Sequence, residues 1–232
     1  MKPMIHIVKK ELKDYFISPI AYIVISVFLL VSGWFFFTTF FLYNQADMRN
    51  FFSLLPIGFS FVIPAITMRL FSEEVHVGSL EVLVTLPVTF RDIVLGKYLA
   101  SVIFIAAVLA PTLFYPVLIA FLGSLDWGPV LGGYAGAMLL GGAFCAVGLF
   151  ASSITKNQIV AFILGAAICF SLTIIDKMLF FIPGTLLGAV GYLGADFHFQ
   201  NIAKGVIDSR DLLYFASIIF IGLYGTTVAR GQ

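Results

Sequence analysis

From Tyr15 to Ala46 the chain carries no charged residue. A helix rises about 1.5 Å per residue, so roughly 20 apolar residues are enough to cross the hydrocarbon core of a bilayer. Lys2, Lys9, Lys10 and Lys13 precede this run, as a basic region precedes the apolar core of a signal peptide. That core is only about 7–15 residues long, so the run reads as a retained first span. Further runs follow, and the pattern predicts six spans, at 20–43, 51–71, 98–122, 129–152, 159–175 and 212–229. Composition agrees: charged residues make up 11% of the 232, against about 25% in soluble domains. Mean hydropathy is +1.07. In lipid a backbone must satisfy its own hydrogen bonds, so the expected class is an all-α polytopic membrane protein. A single transmembrane domain over 1–232, with no internal repeat and no sizeable soluble domain, is the expected organisation.

The ends and breaks refine this picture. In 1–18, Met4, Ile5, Val8, Leu12, Tyr15 and Phe16 recur at three- and four-residue steps, with Lys9, Lys10, Lys13 and Asp14 on the other side. This predicts an amphipathic helix in the headgroup plane, bent into the bilayer at Ser18-Pro19. Residues 178–195 are uncharged but contain Pro183, Gly184, Gly188, Gly191 and Gly194. They suit a re-entrant or interfacial pair of short helices better than a seventh span. Lysine and arginine set orientation. Six spans with both termini cytoplasmic leave only Arg49, Lys177, Lys204 and Arg210 outside. The last outer loop holds Asp196, His198, Asp208 and Asp211 and is expected to be solvated, with Asp176 and Lys177 a neighbouring interfacial pair.

Several function classes find no support. There is no G-x-x-x-x-G-K loop to cradle phosphates. His6, His76 and His198 are far apart, and no His/Glu helix pair has metal spacing. Cys145 and Cys169 read as small buried residues. A net charge of +1 suggests no nucleic-acid partner. The expectation is a chain with no catalytic, cofactor or metal residues. Spans nearly free of acids also argue against an ion-coupled carrier.

Charge gathers instead between spans 2 and 3, over 72–97. Gly78 is a natural helix end. Ser79 can cap a short helix, Leu80 to Leu86, which Pro87 stops. Thr89 and Asp92 have capping-box spacing, so a further helix starts near Phe90. Leu80, Leu83 and Val84 would give the short helix an apolar face, and Glu81, with Glu73 and Glu74 nearby, a negative one. Spacing alone fits equally a knob pushed by a soluble subunit and a solvated loop joining two spans. Pro56, Pro64, Pro111 and Pro116 should bend the flanking spans, as hinges or as static kinks. Gly133, Ala137, Gly141 and Cys145, with Ala161, Gly165 and Cys169, form small-residue stripes for close helix packing, within the subunit or along a moving or dimer-facing seam. Trp34 to Phe37, with Phe40 and Phe41, read as an aromatic or lipid-facing surface.

These residues carry a resemblance. Arg69-Leu70-Phe71-Ser72-Glu73-Glu74, Gly78-Ser79-Leu80-Glu81-Val82-Leu83, Thr85-Leu86-Pro87-Val88 and Ile93-Val94-Leu95-Gly96-Lys97 resemble the permease subunit of ABC-2 type exporters. Val8 to Phe16 and Ser18-Pro19 are similar to that family's N-terminal pattern. Within it, the chain is most similar to the permease of the gliding-motility-associated exporter group. The resemblance implies a non-catalytic subunit in the cytoplasmic membrane of a prokaryote, paired with a second permease. Two copies of a separate ATP-binding subunit, holding ATP and Mg, would dock beneath, and an auxiliary membrane or periplasmic subunit would join them. Ser79 to Leu86 would be the coupling helix, with Glu73, Glu74, Ser79, Leu80, Glu81, Leu83 and Val84 contacting the ATPase. Lys9, Lys10 and Lys13 would belong to the interface helix, and 176–211 to an extracellular insertion. His76 and Val77 depart from the family, whose members often carry arginine or other polar residues there. The alternative is a membrane-embedded transmitter or anchor that an ATPase pulls on and that moves no substrate.

Overall fold

The computed structural model describes residues 2–43, 47–78, 88–123, 125–178, 191–206 and 208–230, and these contain helices and connections but no strand. The helices are α1 (Lys2–Ile17), α2 (Pro19–Tyr43), α3 (Arg49–Thr67), α4 (Arg69–Val77), α5 (Phe90–Leu109), α6 (Phe114–Leu122), α7 (Trp127–Ile154), α8 (Gln158–Ile174), α9 (Ala195–Ala203) and α10 (Ser209–Arg230). A 3₁₀ turn, Ala110–Leu113, joins α5 to α6.

Five helical stretches are long and apolar enough to cross a membrane: 19–42, 49–77, 90–122, 127–154 and 209–230. α8, at 17 residues, is shorter, and spans about 26 Å at helical rise. It nevertheless connects the two ends of the bundle. One end is marked by Ser152 on α7 donating to the Met68 carbonyl. Arg230 of α10 donates to the Ser153 carbonyl at the same end. The opposite end is marked by Lys177, just after α8, paired with Asp196 of α9, and by His198 against Asp211 of α10. Ser18, after α1, meets Arg69 at the Ser152 end. The start of α2 and the end of α10 therefore lie at the same end of the bundle.

α7 is the axis of packing. Of its apolar stretch 78% is buried, against 28% for α2 and 17% for α10. Its small residues explain this. Gly133 faces the Phe52 ring, Gly141 faces Ile105 and Phe59, and Gly148 faces Thr67. Across the α8 seam, Gly165 meets Pro64 and Ala151. The small-residue stripes thus serve packing within the chain. Phe51, Phe52, Phe59, Phe104 and Phe144 fill the interior beside them. The aromatic run on α2 is split: Trp34 and Phe41 point outward, while Phe36 is buried and stacks 4.6 Å from Tyr115.

Two expectations need correction. The last polar loop is solvated only in part: Lys204, Asp208 and Arg210 are exposed, whereas Asp196, His198 and Asp211 are 2–3% exposed. Lys177 pairs with Asp196 at 2.6 Å rather than with its neighbour Asp176. These polar side chains are buried because each has a partner on another element, which adjacency in sequence does not reveal. In α1, Ile7 and Glu11 are buried against the bundle, Met4, Val8, Leu12 and Tyr15 are half-buried, and Ile5, Phe16, Lys9, Lys10, Lys13 and Asp14 are exposed. A periodicity reading counts Glu11 as polar, whereas a lysine from α5 draws it inward. Of the expected bends, the 3₁₀ turn contains Pro111 and α6 contains Pro116. α3 runs through both Pro56 and Pro64 and ends at Thr67. The anticipated short helices within 178–195 lie outside the described residues except for Met178 and 191–195, and α9 follows them.

Candidate functional site: a buried ion-paired junction at the base of α4 and α5

Two local signals frame the stretch between α4 and α5. Gly78 ends α4 with φ +76°, a left-handed conformation that glycine adopts without steric cost. On the other side Thr89 caps α5. The Thr89 hydroxyl accepts from the Asp92 N–H at 3.3 Å, and the Thr89 N–H donates to the Asp92 carboxylate at 3.4 Å. The Thr89 hydroxyl lies 2.6 Å from that carboxylate, and these bonds hold Asp92 below the usual carboxylate range. Both the helix stop and the capping box are those the sequence predicts. Ser79, Leu80, Glu81, Leu83 and Val84, which the resemblance makes the docking residues, lie outside the described residues.

Above this stretch three helices converge on one lysine. Lys97, two turns into α5, is 1% exposed. Its ammonium lies 2.9 Å from Glu11 of α1 and 2.8 Å from Glu74 of α4. It also sits 5.3 Å from the centre of the buried Phe71 ring, where the ring face attracts a cation. Lys10, half exposed, reaches both carboxylates at 3.3–3.4 Å. Burial pulls the Lys10 ammonium down, but Glu11 and Glu74 outweigh it and hold it above its ordinary value. Glu74 is thus engaged inside the junction. Glu73 is more exposed and pairs with Arg69 at 2.9 Å. Lys9 and Lys13 stay on the open side of α1.

Gly96 makes this approach possible. A Cβ there would lie 2.8 Å from Ile7 Cγ2 and 3.4 Å from the Met4 carbonyl. α1 therefore lies directly on α5. It follows α5 in the same direction: Ile7 sits at Gly96, Glu11 at Lys97, and Tyr15 stacks on Phe104 at 4.8 Å. The Gly96-Lys97 pair supplies both the space and the charge that seat α1.

The upper boundary of α4 is a second node. α3 and α4 are interrupted at Met68. The Ser152 hydroxyl accepts from the Phe71 and Ser72 N–H groups at 3.0 and 3.1 Å and donates to the Met68 carbonyl at 2.8 Å. One side chain of α7 thus satisfies backbone groups freed by the break, as buried backbone requires.

Glu11, Lys97 as a tie and Ser152 did not stand out from the sequence. One signal was present: Lys97 is a single charge inside an apolar stretch, two turns past a helix cap, and such a residue needs a buried partner. Nothing in the sequence marks Ser152.

Among the described residues no group of three or more His, Cys, Asp or Glu side chains could hold a metal, and both cysteines are free and buried. The junction offers ion pairing and mechanical connection. Comparison with curated proteins finds no match. The family model described as ABC-2 family transporter protein matches residues 51–219, from α3 through α10. That match takes in α4, the stretch after it, α5 and the Lys97 junction, and it covers well over half of the chain, which therefore belongs to the ABC-2 transporter family.

Proposed function

We propose that this chain is the membrane permease of an ATP-driven exporter, moved by a separate ATPase that pushes on 79–87. The observation that carries this is the Lys97 junction. The stretch 79–87 is flanked by two helices, α4 and α5, and Lys97 ties both to α1. Gly78 lies four residues past Glu74, about 6 Å of helix. A displacement applied to 79–87 would therefore act on α1, α4 and α5 together. An ATPase can drive such a displacement only if its contacts differ between nucleotide states.

In this reading the Ser152 end faces the cytoplasm, as the lysine and arginine distribution favours. α8 makes the sixth crossing, and α1 lies where the bilayer surface meets protein. Glu73, Leu80, Glu81, Leu83 and Val84 would meet the ATPase, with Glu74 steadying the base from within. A second permease copy would cover part of the outward apolar faces of α2 and α10. The partner ATPases would bind the ATP and Mg. Membership of the gliding-motility-associated group, with its auxiliary subunit, is part of the same proposal.

Glu81→Lys tests the docking. It should abolish copurification of the ATPase, or coupled nucleotide turnover, while the permease stays folded. Unchanged copurification and turnover would remove 79–87 from the contact. Transport by the reconstituted complex tests the rest. ATP turnover that moves no substrate would make the chain a mechanical transmitter instead.

A further inference from the structure

The Lys97 junction has an open side. A cavity of about 470 Å³ lies between α1, the first turns of α2, α4 and α5, within the range of small-ligand sites. Its wall has two parts. One is apolar and includes Ile17, Ile20, Ala21 and Val24. The other is charged, with Lys10, Arg69 and Lys97 facing Glu11, Asp14, Glu73 and Glu74. The parts meet at Ser18, which accepts from the Arg69 Nη1 at 3.4 Å. That is where the amphipathic α1 gives way to the apolar α2. A cavity that changes from charged to apolar at this level matches a molecule that changes in the same way at the bilayer surface.

Charge narrows the choice. Four carboxylates face three cations, leaving one negative charge in surplus. Lys97 is consumed by Glu11 and Glu74. Arg69 pairs with Glu73 through Nε and keeps guanidinium donors at Nη2. Lys10 also reaches Glu11 and Glu74, but it is half exposed and its ammonium has a third donor. Asp14 has no ion pair among the described residues and stands exposed at the rim. The lining thus offers donors suited to a phosphodiester at Arg69 and Lys10, and carboxylates suited to an ammonium at Asp14 and Glu73. A net-anionic headgroup would bring its charge against the surplus.

We infer that this cavity binds a zwitterionic phospholipid with a primary-amine headgroup. Its phosphate lies toward Arg69 and Lys10, its ammonium toward Asp14 and Glu73, and its first acyl carbons along Ile17, Ile20 and Val24. The lipid fills the space between α1 and the α2–α4 wall, beside the tie that seats α1. Assigning it to the inner leaflet rests on the orientation proposed above.

The test uses the purified complex in nanodiscs of equal phosphatidylethanolamine and phosphatidylglycerol, with retained lipid identified by native mass spectrometry after release into detergent. Phosphatidylethanolamine should be enriched about fivefold, the scale of one or two exposed charge pairs. The Asp14→Asn/Glu73→Gln double variant removes both ammonium-facing carboxylates, leaves the lining with one positive charge in surplus, and should turn the preference toward phosphatidylglycerol. Ala21→Trp, which fills the apolar part, should lower retention of either lipid. Thermal unfolding checks that the variants remain folded, and any that does not is replaced by Asp14→Lys. That substitution should turn the preference toward phosphatidylglycerol. Equal retention of the two lipids by the unaltered chain overturns the inference, as does a preference that survives both charge variants. The measurement needs no transport: specific retention without ATP-driven export would sink the permease reading and leave this site standing.

Discussion

Lys97→Met is the sharpest test of the junction, because it removes a charge and keeps most of the volume. The lysine sits 2.9 and 2.8 Å from two carboxylates. At an effective dielectric of about 20, each contact is worth roughly 6 kcal/mol before desolvation is counted. Desolvation of three charges consumes much of that, so the net worth of the intact cluster is small. The variant is different. It leaves Glu11 and Glu74, 10% and 13% exposed, facing each other without their shared cation. Removing one partner of a buried pair costs about 3–5 kcal/mol. Lys10 can take up part of the load at 3.3–3.4 Å, which places the expectation near 3 kcal/mol. For a chain of this size that is a fall in Tm of about 6–12 °C. Thermal unfolding of the detergent-solubilised protein measures it. Lys97→Met/Glu11→Gln/Glu74→Gln should recover most of the loss, since no buried charge then lacks a partner. A Tm for Lys97→Met within about 2 °C of the original would refute the reasoning, as would a triple variant no more stable than the single one.

Other expected outcomes follow the same geometry. Gly96→Ala places a methyl 2.8 Å from Ile7 Cγ2 and should cost about 1–3 kcal/mol by pushing α1 off α5; Ile7→Ala in the same chain should relieve it, and a double variant no better than the single would count against this contact. Ser152→Ala strands the Phe71 and Ser72 N–H groups, at about 1–3 kcal/mol, and should speed hydrogen exchange at those two amides. Asp176 is raised by burial first and then by Asp196, with Lys177 opposing. A raised folded-state pKa means that ionisation opposes folding above it, so Asp176→Asn should be the more stable form at pH 7. That advantage should vanish as pH falls toward the unfolded carboxylate value near 3.9, and a gap constant from pH 4 to 7 would refute the assignment.

What was legible in the sequence was local. Gly78 and the Thr89/Asp92 box act within four residues, so their chemistry is fixed before any tertiary contact forms. The apolar runs are equally local, and they located the long helices. α8 is the exception in length, and only its connections show that it joins both ends of the bundle. The junction was not legible because its partners are 86 residues apart between Glu11 and Lys97. A helix-period reading takes Glu11 as a solvent marker. It therefore gives no sign that α1 turns Ile7 and Glu11 toward the bundle. The polar residues near α9 misled for the same reason. His198 is buried because Asp211 lies 2.6 Å away on α10 and Tyr214 stacks 4.1 Å from its ring.

The tie and the helix interruptions occupy different places, and that separation gives the base of the bundle its mechanics. α1 leads into α2 through Ser18, α4 meets α3 at Met68, and α5 meets α6 through the 3₁₀ turn Ala110–Leu113. Each of the three helices that share Lys97 is thus interrupted at its far end from 79–87. Within the group, separation would have to break both Lys97 contacts, lift Ile7 off Gly96 and uncover the buried Phe71 ring. At the interruptions, helical hydrogen bonds are already exchanged for others, such as those of Ser152 with the Met68 carbonyl and the Phe71 and Ser72 N–H groups. A force on 79–87 would therefore meet high resistance to spreading α1, α4 and α5 apart and lower resistance to tilting them as one body. Changing Lys97 should uncouple the three helices, whereas changing Ser152 should loosen the joint and leave the three tied.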